Sequence, residues 1–126
     1  MSVRDVPVDS SDIPGPLSES LRSCIKELQQ LQRSIDDRSF FVRDRRWKEL
    51  PADEVIQHDL LHLAKLLAKI ADFLDLRDHS RNPDVSRMKS EVVPDLLVYA
   101  LQIANALEVD LGEEYERRIG YILNKY

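Results

Sequence analysis

The strongest constraint on the fold is a pair of long segments that are apolar around most of a helical circumference. In the first, from about Ala52 to Leu76, leucines recur at spacings of three and four residues, and further apolar residues widen that stripe. In the second, from Val92 to Leu107, the interruptions are Pro94, Asp95, Gln102 and Asn105. Apolar surface this wide exceeds what the other helices of a short chain can cover. The sequence therefore predicts an all-α domain that dimerises through these two helices, as a dimer or a dimer of dimers.

Two further segments complete a predicted four-helix bundle. The first helix is expected from about Leu17 to Asp36, with an apolar stripe at Leu21, Cys24, Leu28, Leu31 and Ile35. This spacing predicts a buried Cys24 thiol and a solvent-facing Gln29. The last helix is expected to begin at Asp110, which can cap it, with Glu113 completing a capping box. Pro94 predicts a break in the third helix near Ser90, because proline lacks the N–H that a helix interior needs.

The composition narrows the class of protein. Three glycines and 6% aromatic residues favour helix over tight hairpins. The net charge of −5 argues against nucleic acid as a partner, and the absence of a long apolar run argues against a membrane span. Residues 1–16 hold three prolines and lack the apolar stretch of a signal peptide. We therefore expect a mobile polar leader over residues 1–16, one helical domain over residues 17–126, and a cytoplasmic protein.

The connector between the first two predicted helices, residues 37–51, is expected to be irregular, and it concentrates aromatic and basic side chains. Two hypotheses account for it. In one, Phe40, Phe41 and Trp47 cover one end of the bundle and the arginines are solvated. In the other, the arginines form a phosphate-facing edge beside a site; these are Arg43, Arg45 and Arg46.

Polar side chains form a seam along each of the two apolar helices. The seam of the second helix consists of His58, His62, Lys65, Lys69 and Asp72, with Asp59 beside it. The seam of the third helix consists of Glu91, Asp95, Gln102 and Asn105. Unpaired charge in a core is costly, so we expect the seams to face one another, a ligand or a water-filled cleft. Glu91 and Asp95 in particular are predicted to be buried and to point at the seam of the second helix.

Three interpretations of these seams stay open. The first is a structural network, in which the lysines or histidines neutralise Glu91 and Asp95. The second is a divalent metal site, since hard cations such as Mg²⁺ or Mn²⁺ take carboxylate oxygens from adjacent helices. Its ligands would be Glu91 and Asp95 with Asp59, His62 or Asp72. The third is a transition-metal site at His58 and His62, because histidines four residues apart on a helix can share one ion.

Part of the chain is similar to a known family. The segment SEVVPDLLVYALQIANALEVDLGEEYERRI, residues 90–119, resembles the all-α nucleoside triphosphate pyrophosphohydrolases, the MazG-like group that includes dCTP pyrophosphatases. The connector VRDRRWKEL and the closing Lys125–Tyr126 also resemble segments of that family. The resemblance implies a helical dimer or tetramer. It also implies hydrolysis of a nucleoside triphosphate to the monophosphate and pyrophosphate, with Mg²⁺ bridging the phosphates.

Position by position, the resemblance is partial. Asp95 takes the place of the family's last metal-binding acid, and Glu91 resembles the first acid of its Glu-Glu pair, whereas Val92 replaces the second. Asp59 and His62 fall at the acids of the second helix. Elsewhere, Lys65 replaces a further acid, Arg118 resembles a family lysine, and Ile122 replaces an asparagine.

Two main functional hypotheses follow, besides a hydrolase that would use His62 for general acid–base catalysis without a metal. The first is a Mg²⁺- or Mn²⁺-dependent pyrophosphohydrolase acting on a nucleotide or a related phosphorylated compound. Its roles would be metal binding at Glu91, Asp95 and Asp59, catalysis at His62 and Asp59, and phosphate contact at Lys65, Lys69 and Arg118. The second is a catalytically degenerate dimer that binds a nucleotide or a protein partner, with lysines in the place of the metal.

Overall fold

The computed structural model describes residues 17–79, 82 and 85–125, so the predicted leader and Tyr126 lie outside the described residues. Within those residues the protein is helical apart from one short hairpin, which confirms the predicted all-α class. The helices are α1 (Glu19–Ser39), α2 (Ala52–Asp78), α3 (Val85–Ala106) and α4 (Leu111–Lys125). Helix α3 packs against both α1 and α2, and α4 packs against α1.

The connector between α1 and α2 is more regular than the sequence predicts. It forms a two-stranded antiparallel hairpin of β1 (Phe41–Val42) and β2 (Arg45–Arg46), followed by a 3₁₀ turn over Trp47–Glu49. Arg43, at the tip, has a φ of 58°, which is uncommon for a residue with a side chain. The Trp47 backbone N–H donates to the carbonyl of Phe40 at 3.0 Å. The hairpin thereby folds Trp47 back onto the bundle, where it is buried.

Helix α3 changes its winding near its start. A short α-helical stretch, Val85–Arg87, leads into a π-helical turn over Met88–Val92, and regular α-helix resumes over Val93–Ala106. The π turn lies where the break near Ser90 is expected, because Pro94 has no N–H to continue the regular hydrogen bonding. It leaves Val92 buried and Glu91 half-exposed.

The turn between α3 and α4 is fixed by its backbone. Glu108 has a φ of 55°, and the N–H of Val109 donates to the carbonyl of Ala104 at 3.1 Å, as in a Schellman motif. Asp110 Oδ1 then accepts a hydrogen bond from the Glu113 N–H at 3.1 Å and so caps α4. That bond is the main reason why the pKa of Asp110 lies below its usual range.

The buried face of α1 is polar rather than apolar. Gln29, Gln32 and Asp36 are buried, whereas Cys24 is exposed, so the predictions of a buried Cys24 and a solvent-facing Gln29 are wrong. The predicted apolar stripe is between 41% and 57% exposed at Leu21, Leu28, Leu31 and Ile35. The physical reason is that backbone groups of the α3–α4 turn need hydrogen-bond partners, and a glutamine on α1 supplies them.

Large apolar residues on α2 and α3 are also exposed in the single chain. The exposed fractions are 67% for Leu61 and 66% for Leu67 on α2, and 59% for Val93 and 49% for Leu97 on α3. The buried apolar residues are Trp47, Val55, Leu66, Val92, Leu101 and Ala104. Within the described residues, no single helix is both long enough and apolar enough to cross a membrane.

Candidate ligand-binding cleft

The polar seams of α2 and α3 meet at one ion pair. Lys69 Nζ donates to Glu91 Oε1 at 2.8 Å, and Arg87 Nε donates to Glu91 Oε2 at 3.1 Å. The hydrogen bond from Lys69 is the largest cause that lowers the pKa of Glu91. The prediction that Glu91 points at the lysines of α2 agrees with this geometry, but its expected burial does not, since its side chain is 46% exposed.

The donor set does not fit a divalent metal ion. Among the described residues, no three of the Asp, Glu, His and Cys side chains lie close enough together to hold one. Glu91 is engaged by two cations, and Val92 is buried at the position that the resemblance gives to an acid. Hard cations need several carboxylate oxygens together, whereas here a lysine lies against the carboxylate.

A cleft opens between α1, the hairpin segment, α2 and α3, and we call it the aromatic cleft. Its volume is about 340 Å³. Its aromatic lining consists of Phe40, Trp47, His58, His62 and Tyr99. Its polar lining consists of Gln32, Asp95 and Gln102, and Ile35 and Val98 complete it. The seam residues His62 and Asp95 therefore do share one site, as the sequence predicts for facing seams.

The rings of the cleft contact one another in succession. Trp47 meets His58 edge-on with ring centroids 5.5 Å apart, and the rings of His58 and His62 lie 4.5 Å apart. His62 stacks on Tyr99 at 5.6 Å with an interplanar angle of 24°. The series of contacts joins the hairpin segment to α2 and α3. It presents flat, polarisable surfaces, on which a planar ligand can stack.

Two buried carboxylates lie behind the cleft. Asp36 Oδ1 accepts hydrogen bonds from Gln32 Nε2 at 2.9 Å and from Gln102 Nε2 at 2.8 Å. Asp59 is fully buried, and neither of its oxygens has a hydrogen-bond partner among the residues that the structure describes. Burial, followed by the charge of Asp36, raises the pKa of Asp59 to about 7. Burial also raises the pKa of Asp36 above its usual range, against the effect of its two glutamine donors.

Gln102 lines the cleft, is hydrogen-bonded to Asp36 behind it, and has a second polar atom to satisfy. The donation from Gln102 Nε2 to Asp36 fixes the orientation of the amide, because a carboxylate accepts and does not donate. Gln102 Oε1 is buried, and no described residue donates a hydrogen bond to it. A buried acceptor without a partner costs free energy, which a ligand donor would recover.

A second cavity shares His58 with the aromatic cleft. It has a volume of about 500 Å³, and Arg43 and Arg45 are among its lining residues. Arg45 is paired with Glu54, whereas Arg43 forms no ion pair with any described residue. Of the two arginines that line this cavity, Arg43 is therefore the one available to a phosphate, as in the hypothesis of an arginine edge beside a site. Burial is the main reason why the pKa of His58, between the two cavities, lies below its ordinary range.

The predicted site residues do not all converge. His62 and Asp95 line the aromatic cleft, and Asp59 lies buried behind it. Lys65 is exposed and outside the lining, and Arg118 lies over the ring of Tyr121, 5.0 Å from its centroid. The sequence did not single out Asp36, Trp47, Tyr99 and Gln102 as a group. The sequence signal that could have identified part of this group is an isolated polar residue within an apolar helix, such as Gln102.

Comparisons with protein-family models, with curated proteins and with solved structures give no match to this chain.

Proposed function

We propose that this chain is a MazG-like helical dimer that binds a nucleotide without hydrolysing it. The aromatic cleft holds the base, and Arg43, in the adjoining cavity, receives the phosphate. The observation that carries the proposal is the Lys69–Glu91 hydrogen bond of 2.8 Å, which places a protein cation on the acid that a metal would need.

The shape and chemistry of the cleft support a planar ligand. A volume of about 340 Å³ suits a small molecule, and the ring contacts from Trp47 to Tyr99 provide stacking surfaces. Base–aromatic stacking contributes roughly 1–3 kcal/mol per base in nucleic-acid-binding proteins. Because His58 lines both cavities, a ligand in the cleft can extend towards Arg43.

The proposal includes a second copy of the chain. The exposed leucines of α2, with Leu61 and Leu67 about two-thirds exposed, support it, as does the exposed apolar stripe of α1. Contiguous exposed apolar surface is typical of protein–protein interfaces. A homodimer or a dimer of dimers would bury these side chains and stabilise a chain whose own core is small.

The single tryptophan of the chain provides the test. Trp47 lines the cleft, so its fluorescence reports binding there directly. We expect saturable quenching by nucleoside monophosphates or triphosphates in EDTA, with the same affinity after Mg²⁺ is added. Tyr99→Leu should weaken binding at least about tenfold, since it removes one stacking surface. The matched control Tyr115→Leu, at an exposed tyrosine of α4, should bind as the parent does. An absence of quenching across a full nucleotide panel would overturn the proposal.

Hydrolysis with Mg²⁺ is the competing proposal, and Asp95 is the observation that favours it. Asp95 lines the same cleft as His62, as expected of a metal-binding acid near a catalytic histidine. Pyrophosphate release that requires Mg²⁺ and disappears in Asp95→Asn would establish the hydrolase and refute the binding-only function.

A further inference from the structure

The charge of the aromatic cleft is one-sided. Among the described residues that line it there is an acid, Asp95, and neither a lysine nor an arginine. Lys65 is close enough to contribute to the lowered pKa of His58, but it is exposed and does not line the cleft. Burial, followed by the charges of His62 and Lys65, lowers the pKa of His58 and so disfavours its cationic form.

Oxygen acceptors in and behind the cleft add to its polar character. Burial is the largest cause that raises the pKa of the Tyr99 phenol, and the charges of Asp95 and Asp59 raise it further. Both carboxylates therefore act on the last ring of the stack. Among the described residues, neither the Asp59 oxygens nor Gln102 Oε1 have a hydrogen-bond partner. A ligand in this cleft therefore meets the carboxylate of Asp95, an acceptor without a described partner at Gln102, and aromatic rings.

We infer that the aromatic cleft selects a planar heteroaromatic cation, a nucleotide whose base carries a positive charge and an N–H donor. Aromatic faces attract cations through their negative quadrupole, and indole and phenol rings do so most strongly. A positive base would also interact favourably with Asp95, and its N–H would satisfy Gln102 Oε1. This inference rests on the proposed function, since it concerns which base the same cleft takes.

Isomeric nucleotides separate charge from shape. The 5′-monophosphate of 1-methyladenosine is cationic at neutral pH, whereas that of N6-methyladenosine has the same formula and is neutral. The 5′-monophosphates of 3-methylcytidine and 5-methylcytidine form a second such pair. Each pair keeps the phosphate that would meet Arg43, so a difference in affinity reports on the cleft. Isothermal titration calorimetry with the full chain gives the dissociation constants.

The cationic member of each pair is expected to bind about tenfold tighter, the size of a desolvated cation–π contact. Asp95→Asn should reduce that preference, whereas Asp72→Asn, an exposed acid on the same helix as His62, should leave it unchanged. Equal affinities within both pairs would overturn the inference and leave the proposed function standing. Failure of all four compounds, together with unmodified nucleotides, would overturn both.

Discussion

Lys69 on α2 donates a hydrogen bond from Nζ to Glu91 Oε1 on α3 over 2.8 Å. Arg87 donates to the other oxygen of the same carboxylate, so two cations meet one acid at the junction of these helices. Glu91 is also one of the residues that the hydrolase hypothesis assigns to metal binding. Lys69 therefore opposes the binding of a divalent cation at this junction.

Replacement of Lys69 with glutamate should create affinity for Mg²⁺. Lys69→Glu removes the ammonium from Glu91 and adds a carboxylate, and clustered carboxylates bind hard cations. We expect the melting temperature of the variant to rise with millimolar Mg²⁺, while that of the parent does not change. Lys65→Glu, at an exposed lysine that forms no ion pair with described residues, is the control. Stabilisation of the parent by Mg²⁺ would contradict the interpretation.

The buried Asp59 should make the stability of the protein depend on pH. Its folded-state pKa of about 7 lies above the ordinary value of 3.8, so within that interval the folded chain holds a proton that the unfolded chain has released. The free energy of unfolding should therefore fall as the pH rises through the interval, by roughly 4 kcal/mol in total. The raised pKa of Asp36 acts in the same direction.

Asp59→Asn tests this dependence, because it removes the charge and nearly keeps the shape. The variant should be more stable than the parent at pH 8, and its unfolding free energy should change less between pH 5 and 8, as measured by urea denaturation. The control is Asp72→Asn at an exposed carboxylate of the same helix. If the two variants show the same pH profile, the raised pKa of Asp59 does not govern stability.

Gln29 should matter far more for stability than its neighbour Gln30. Its Nε2 donates to the Val109 carbonyl at 2.9 Å and to Asn105 Oδ1 at 3.2 Å, and its Oε1 accepts from the Leu111 N–H at 3.0 Å. Gln29→Met removes these hydrogen bonds from part-buried groups and should lower the unfolding free energy by about 1–3 kcal/mol. Gln30→Met, at an exposed position, should change little in the same urea titration. Equal effects would show that the amide contacts are not stabilising.

An arginine at Leu67 should disrupt assembly. Light scattering on the parent is expected to give a mass above the 14.6 kDa of one chain. Leu67→Arg places a charge on a leucine that is 66% exposed in the single chain, and a charge buried in an interface is costly. The variant should shift towards monomer, whereas Gln57→Arg, at an exposed polar residue of α2, should not. A parent that is already monomeric at micromolar concentration would exclude the dimer.

Local sequence determined the helices of this protein. The start of α2 at Ala52, the cap of α4 at Asp110 and the irregular winding near Ser90 follow from proline, a capping side chain and helical periodicity. These signals act between residues a few positions apart, so they can be recognised without knowledge of the tertiary packing.

Tertiary structure alone decided which polar residues are buried. The hydrogen bond between Gln29 and the Leu111 N–H joins residues 82 positions apart, and the one between Gln102 and Asp36 joins residues 66 apart. The backbone groups of the α3–α4 turn require hydrogen-bond partners, so the polar face of α1 lies towards them. The apolar stripe of α1 had predicted the opposite orientation. Likewise, the hairpin brought Trp47 to His58 and so formed the cleft. Such contacts depend on how distant elements pack, and helical periodicity carries no information about that.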